Sequence, residues 1–89
     1  MILKIETEQG AVYRDKIQRI EVNEFRPKDE LVARQGEIAL PISETWLFDG
    51  TREHNYRASL MKECGAMMHI EFQVGYLMND SGKTIHSYR

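Results

Sequence analysis

The first residues of the chain alternate between apolar and polar side chains, as they do in a half-buried β-strand. Leu3, Ile5 and Thr7 fall on one face, because successive side chains of a strand point to opposite faces. The polar residues 8–10 end in glycine and suit a turn, and a second apolar run begins at Ala11. This pattern predicts a β-hairpin.

A third strand is predicted in residues 17–25. Ile20 and Val22 alternate there with polar residues. The strand is expected to end before Pro27, because proline cannot donate a hydrogen bond to a ladder.

The next stretch of the chain gives weaker patterns. Residues 31–35 suit a short strand, and residues 37–42 place three aliphatic side chains on one face beside a proline that only a sheet edge or a strand end tolerates. In residues 43–49, Trp46 and Phe48 alternate as in a strand, whereas the initial serine would suit a helix N-cap. The pattern leaves the type of this segment open.

One helix is predicted after this point. Five residues recur at the spacing of a single helical face: Tyr56, Leu60, Cys64, Met67 and Met68. Gly65 follows at the place where a helix of roughly 52–64 would take its left-handed cap. If Tyr56, Ala58 and Leu60 instead alternate along a strand, an all-β barrel is the alternative.

The most regular pattern lies near the end of the chain. Six apolar residues occupy every second position: Met68, Ile70, Phe72, Val74, Tyr76 and Met78. They predict one long strand with a single buried face. The turn-forming residues 79–82 then reverse the chain, so a C-terminal β-hairpin is expected.

Together these elements predict an α+β fold, with an antiparallel sheet of about five to seven strands and one helix packed against it. The 89 residues make a single domain, 1–89, because so short a chain cannot form two stable cores. A domain of this size buries a modest share of its surface, so self-association is a reasonable supplement to its stability.

Composition and charge narrow the range of functions. The net charge of −2 and a pI near 5.9 make nucleic acid an unlikely partner, since nonspecific binding depends on a basic surface. No apolar run is long enough for a membrane span or a signal peptide. The single cysteine cannot form an internal disulfide, which favours a reducing compartment and a cytoplasmic location.

The residues Gly82, Lys83 and Thr84 resemble the end of a phosphate-binding loop only superficially. Such a loop needs a glycine five positions earlier, where this chain has Leu77, and a helix after it. The remaining residues are too few and too β-prone for that helix. We therefore interpret 79–85 as a hairpin turn and expect no cofactor.

Metal binding and catalysis also lack a recognisable spacing. The candidate ligands His54, Cys64, His69 and His86 are not spaced as pairs that share a helical face or a metal-binding knuckle, so no metal is expected. The predicted helix places Cys64 on its apolar face, as a core thiol. A small enzyme would need a site shared between subunits, with His69, His86 and acidic groups clustered in it.

The best functional hypothesis is a non-enzymatic protein interaction or self-assembling accessory module, which by its size would suit a bacterium or a bacteriophage. The partner would be a second copy of the chain or another protein, through an interface that draws on Trp46, Phe48, Met61, Met67 and Met68, since methionine and tryptophan are enriched in buried contacts. The alternative is a single-stranded nucleic-acid-binding module, for which Arg52, Arg57 and Tyr56 are the candidates.

Overall fold

The computed structural model describes residues 1–26 and 41–89, which form eight β-strands and no helix. In chain order these are β1 (Ile2–Thr7), β2 (Gly10–Arg14), β3 (Ile17–Phe25), β4 (Glu44–Trp46), β5 (Asn55–Lys62), β6 (Met67–Phe72), β7 (Val74–Met78) and β8 (Thr84–Tyr88). The α+β prediction is therefore wrong, and the protein is all-β. The expectations for 31–35 and for most of 37–42 lie outside the described residues.

The strands form two sheets of four rather than the single sheet of five to seven that was predicted. Sheet A has the order β2-β1-β7-β8, and sheet B has the order β3-β5-β6-β4. Neighbouring strands are antiparallel except β4, which runs parallel to β6. Within the described residues each sheet keeps two edge strands and neither closes on itself, so the alternative of a barrel is wrong as well.

The core lies between the two sheets. Its buried apolar side chains come from β1, β3, β5 and β6, and they are Leu3, Ile5, Ile17, Ala58, Leu60, Ile70 and Phe72. Phe72 of sheet B lies in an aromatic cluster with Tyr56 and with Tyr88 of sheet A, at ring-centroid distances of 5.7 and 5.9 Å. Burial raises the pKa of Tyr88 above its ordinary 10.0. These contacts pack sheet A against sheet B.

The predicted helix over 52–64 is a strand for most of its length. Along β5 the side chains of Ala58 and Leu60 are buried and Tyr56 is half-buried, which is the alternation named as the test of an all-β fold. Gly65 has a φ of +91°, but it lies in the turn between β5 and β6 instead of capping a helix. The prediction failed because an interval of four residues fits a strand as well as a helix.

The long strand predicted for 68–78 is interrupted at Gln73. Residues before it belong to β6 in sheet B, and residues after it belong to β7 in sheet A. The inward face also changes: Gly75 and Leu77 pair with the buried Ile5 and Leu3, and paired residues share a face. Tyr76 consequently points to the outer surface of sheet A, contrary to the predicted register.

The turn at 79–83 joins β7 to β8 in an antiparallel hairpin, as the sequence predicted. Asn79 Oδ1 accepts hydrogen bonds from the amides of Ser81 (3.1 Å) and Lys83 (2.9 Å), and Gly82 adopts a φ of +86°. All of these residues are used in reversing the chain. In the part of the chain that the structure describes, no helix has the length and hydropathy to cross a membrane.

Candidate interaction site

A buried glutamine organises the connection between β4 and β5. Gln73 Oε1 accepts hydrogen bonds from the amides of Phe48 (3.1 Å) and Asp49 (3.0 Å). Its Nε2 donates to the carbonyl oxygen of Asp49 (2.6 Å) and to Oδ1 of the buried Asn55 (3.0 Å). All the hydrogen-bonding positions of the side-chain amide are thus occupied. The backbone at 48–49 is held in place from inside the protein.

The same connection is tightened by a turn at Asp49. Its Oδ1 accepts hydrogen bonds from the hydroxyl (2.7 Å) and the amide (2.9 Å) of Thr51. These two bonds, and to a lesser extent the charge of Arg52, lower the pKa of Asp49 below its ordinary 3.8. The segment after Phe48 is therefore an ordered turn.

On the outside of this fixed backbone, two neighbouring apolar side chains face solvent. Leu47 is 38% exposed and Phe48 is 39% exposed. With Trp46 they line a cleft of about 180 Å³. The opposite wall is the turn between β1 and β2, and the complete lining is Thr7, Glu8, Gln9, Thr45, Trp46, Leu47 and Phe48. We refer to this feature as the Trp46–Phe48 cleft.

Trp46 connects the cleft to the core. Its ring packs against the buried cluster, and its Nε1 donates to Glu44 Oε2 at 3.2 Å. The same carboxylate also accepts from Arg14 of sheet A, whose Nε lies 3.0 Å from both oxygens and whose Nη2 lies 2.9 Å from Oε1. Trp46 is thereby fixed at the end of the molecule where the edge strands β2 and β4 meet. The undecided segment 43–49 is thus partly a strand, β4.

The predicted interface residues do not form one surface. Met68 packs against the core. Met61 and Met67 are paired across β5 and β6 on the outer face of sheet B, where Met67 is 55% exposed. Trp46 and Phe48 lie at the separate cleft described above. The sequence therefore placed in one group residues that the fold distributes over three locations.

The residues proposed for nucleic-acid binding make contacts within the protein. Tyr56 stacks on Phe72 and donates its hydroxyl to the carbonyl oxygen of Arg89 (2.5 Å). Arg57 forms a largely buried ion pair with Glu71 at 3.0 Å. Arg52 is half-buried in the β4–β5 connection. The three residues therefore do not form a common binding surface.

The histidines and the cysteine are dispersed as well. His69 bonds to Ser59 on sheet B (3.0 Å), whereas His86 packs against Tyr88 on sheet A. Cys64 is exposed in the β5–β6 turn, so its prediction as a core thiol is wrong. His54 bonds to a glutamate of β3. Among the residues described, no group of three potential ligands is close enough to hold a metal ion.

Comparisons of the chain with protein-family models, with curated proteins and with solved structures found no match. Its function must therefore be inferred from the geometry of the molecule.

The Trp46–Phe48 cleft combines exposed apolar side chains, a concave surface and a fixed backbone. Sequence reasoning missed two of its essential residues: Leu47, which interrupts the alternation of Trp46 and Phe48, and Gln73, which occupies a polar position in an alternating run.

Proposed function

We propose that this protein is a non-enzymatic interaction module that self-associates through the Trp46–Phe48 cleft. The observation that carries the proposal is the exposure of Phe48, whose backbone amide is held by the buried Gln73, with the exposed Leu47 beside it. Single exposed apolar side chains are common on protein surfaces, whereas contiguous exposed apolar surface marks contact sites, and Leu47, Phe48 and the cleft are contiguous. The cytoplasmic location remains part of this proposal, supported by the free cysteine.

The fixed backbone favours tight contact. A loop that becomes ordered only on binding reduces the affinity, because its conformational entropy is lost at that moment. Here three hydrogen bonds of Gln73 have already ordered residues 48 and 49. Burial of Phe48 would therefore contribute to affinity with little further ordering. Aromatic side chains in such positions commonly dominate binding energy.

A second copy of the chain is the partner that fits this geometry. Phe48 is exposed and itself lines the cleft, so a two-fold axis would place the Phe48 of each copy at the cleft of the other. Contacts of this kind use one patch on both subunits. The neighbouring Arg14 and Glu44 are already paired, so no unpaired charge from these two residues would be buried in the dimer.

The sheet edges are less suitable for association than this cleft. β8 carries a bulge where Ile85 has no counterpart on β7, and β3 carries one at Gln18. β4 has only three residues. In β2 the carbonyl oxygens of Gly10 and Tyr13 already accept bonds from side chains. Bulges, short strands and occupied carbonyls all discourage the addition of another strand.

The proposal is tested by size-exclusion chromatography with light scattering. We expect the wild-type protein to have twice the 10.4 kDa chain mass, and Phe48→Ser to be monomeric. Met67→Ser is the matched control, because it removes a comparably exposed apolar side chain from the outer face of sheet B. Circular dichroism would verify that both variants are folded. A monomeric wild-type protein, or a dimer that Phe48→Ser leaves intact, would refute this function for the cleft.

A further inference from the structure

The outer face of sheet A carries an alternating row of aromatic and cationic side chains, one each from β2, β1 and β7 and one from the residue that follows β8. Lys4 of β1 pairs with Tyr13 of β2 on one side and with Tyr76 of β7 on the other. Ser87 of β8 pairs with Tyr76, and Arg89, two residues further on, extends over the same ring. The row therefore runs Tyr13, Lys4, Tyr76, Arg89, across β2, β1 and β7 to the residue after β8.

The geometry of this row is well defined. Lys4 Nζ lies 5.7 Å from the centroid of the Tyr76 ring, and Arg89 Cζ lies 5.4 Å from it. The hydroxyl of Tyr56 bonds to the Arg89 carbonyl oxygen and so positions the backbone that carries the guanidinium. Tyr13 is 54% exposed. Its ring is the open aromatic surface at the other end of the row.

These side chains border a groove of about 380 Å³. Its lining also includes Glu6, Met78, Gly82 and Thr84. Glu6 is the acidic side chain in this lining, and it lies towards the end of β1, next to Ala11 and Val74. The groove therefore presents two cations and one carboxylate, although the whole chain carries a net negative charge.

We propose that this face binds single-stranded nucleic acid. Unpaired bases stack on tyrosine rings and on guanidinium planes, and sheets with exposed aromatics use this mode for two or three bases. Tyr13 and Tyr76 are two strand spacings apart, about 10 Å. One base stacks on Tyr13 and another on the guanidinium of Arg89, while Lys4 between them neutralises a phosphate. The net charge of −2, from which nucleic acid is an unlikely partner, averages over the whole surface and does not describe this face.

The test uses fluorescence anisotropy with the full chain and a labelled oligo(dT) of about ten nucleotides, within the range of known single-strand site sizes. We expect salt-dependent binding by the wild-type protein. Tyr13→Ala should weaken it roughly 5- to 140-fold, the range that the loss of one stacked base produces. Tyr13→Phe should retain the affinity, because the ring remains.

Charge variants make the test more specific. Lys4→Gln should reduce the slope of log affinity against log salt by about 0.7, the value for one phosphate of a single strand. Arg19→Gln is the control, because it removes an exposed cation from sheet B and should leave the slope unchanged. Glu6→Gln should tighten binding, an effect that misfolding cannot produce.

Competition experiments identify the class of ligand. Unlabelled oligo(dT) should displace the probe, whereas a duplex of equal phosphate content should compete weakly because its bases are stacked internally. If the duplex, or poly-glutamate of matched charge, competes equally well, the face binds anions in general and the proposal is overturned. Absence of binding at low salt, or a Tyr13→Ala variant with wild-type affinity, would overturn it directly.

Phe48→Ser should bind oligo(dT) normally as a monomer, since its cleft is separate from this face.

Discussion

Replacement of Gln73 by leucine should be among the most damaging single changes in this protein. The substitution nearly conserves volume but removes four hydrogen bonds. At roughly 1 kcal/mol net per bond, the four bonds sum to about 4 kcal/mol. The exposed position of Phe48 lets its amide reach water if the loop opens, so we expect a loss of about 2–4 kcal/mol in the free energy of unfolding.

That loss is large for a chain of this length. At about 0.05–0.15 kcal/mol per residue, the total free energy of unfolding is about 4–13 kcal/mol. The melting temperature of a domain of this size falls by about 4–8 °C per kcal/mol, so Gln73→Leu should lower it by roughly 8–30 °C. Gln73→Glu should be at least as damaging at neutral pH, because its buried carboxylate cannot donate to the carbonyl oxygen of Asp49 or to Oδ1 of Asn55 and instead faces both oxygens as a charge.

Urea unfolding monitored by the fluorescence of Trp46, the single tryptophan, measures these differences. Gln18→Leu makes the same change at an exposed position of β3 and should alter stability by less than about 0.5 kcal/mol. If Gln73→Leu costs no more than this control, the buried amide does not hold the connection in place. The reasoning on which the pre-ordered cleft depends would then be wrong.

Two further predictions concern packing and pH. A Cβ on Gly75 would lie 2.7 Å from the fully buried ring of Phe72, so Gly75→Ala should lower the free energy of unfolding by about 1–3 kcal/mol through overpacking. The control in the same urea assay is Gly50→Ala, whose Cβ meets nothing within 4 Å. Equal stability of the two variants would contradict this packing. Because its bonds to Thr51 depress the pKa of Asp49 below 3.8, its contribution to stability should be complete above that pH and should disappear as the pH falls through the folded-state value. The difference in unfolding free energy between wild type and Asp49→Asn should therefore shrink in acid, and a difference that does not vary with pH would exclude this role.

The strands of this protein were easier to predict than its architecture. Alternation located β1 and β3, because the more buried residues of each fall largely on one side of the strand. The turn residues 8–10 and the apolar run that follows them located β2. It failed at β5, where Tyr56, Leu60 and Cys64 are four residues apart and satisfy both periods. The small buried Ala58 was the distinguishing residue, since it continues the strand pattern but adds little to an apolar helical face.

The sequence pointed to Trp46 and Phe48 of the cleft, but the remainder of both candidate surfaces could not be predicted, because both depend on the passage from one sheet to the other at Gln73. Alternation alone assigns Tyr76 to the interior, yet the change of sheet turns it outward and places Gly75 inside. Likewise, nothing in the local sequence indicates that Gln73 will reach the backbone at Phe48. Long-range pairing determines which residues meet, and a single sequence contains little information about it.

The order of strands in sheet A has a consequence for the rate of folding. Its central pair joins β1, near the beginning of the chain, to β7, near the end, while the β5–β6 ladder of sheet B forms between neighbours in sequence. Closure of the long loop between β1 and β7 must precede any gain from their contacts, and such topologies fold slowly. We therefore expect the β5–β6 hairpin to acquire protection from amide hydrogen exchange early in refolding. The pairing of β1 with β7 would be the late, rate-limiting step.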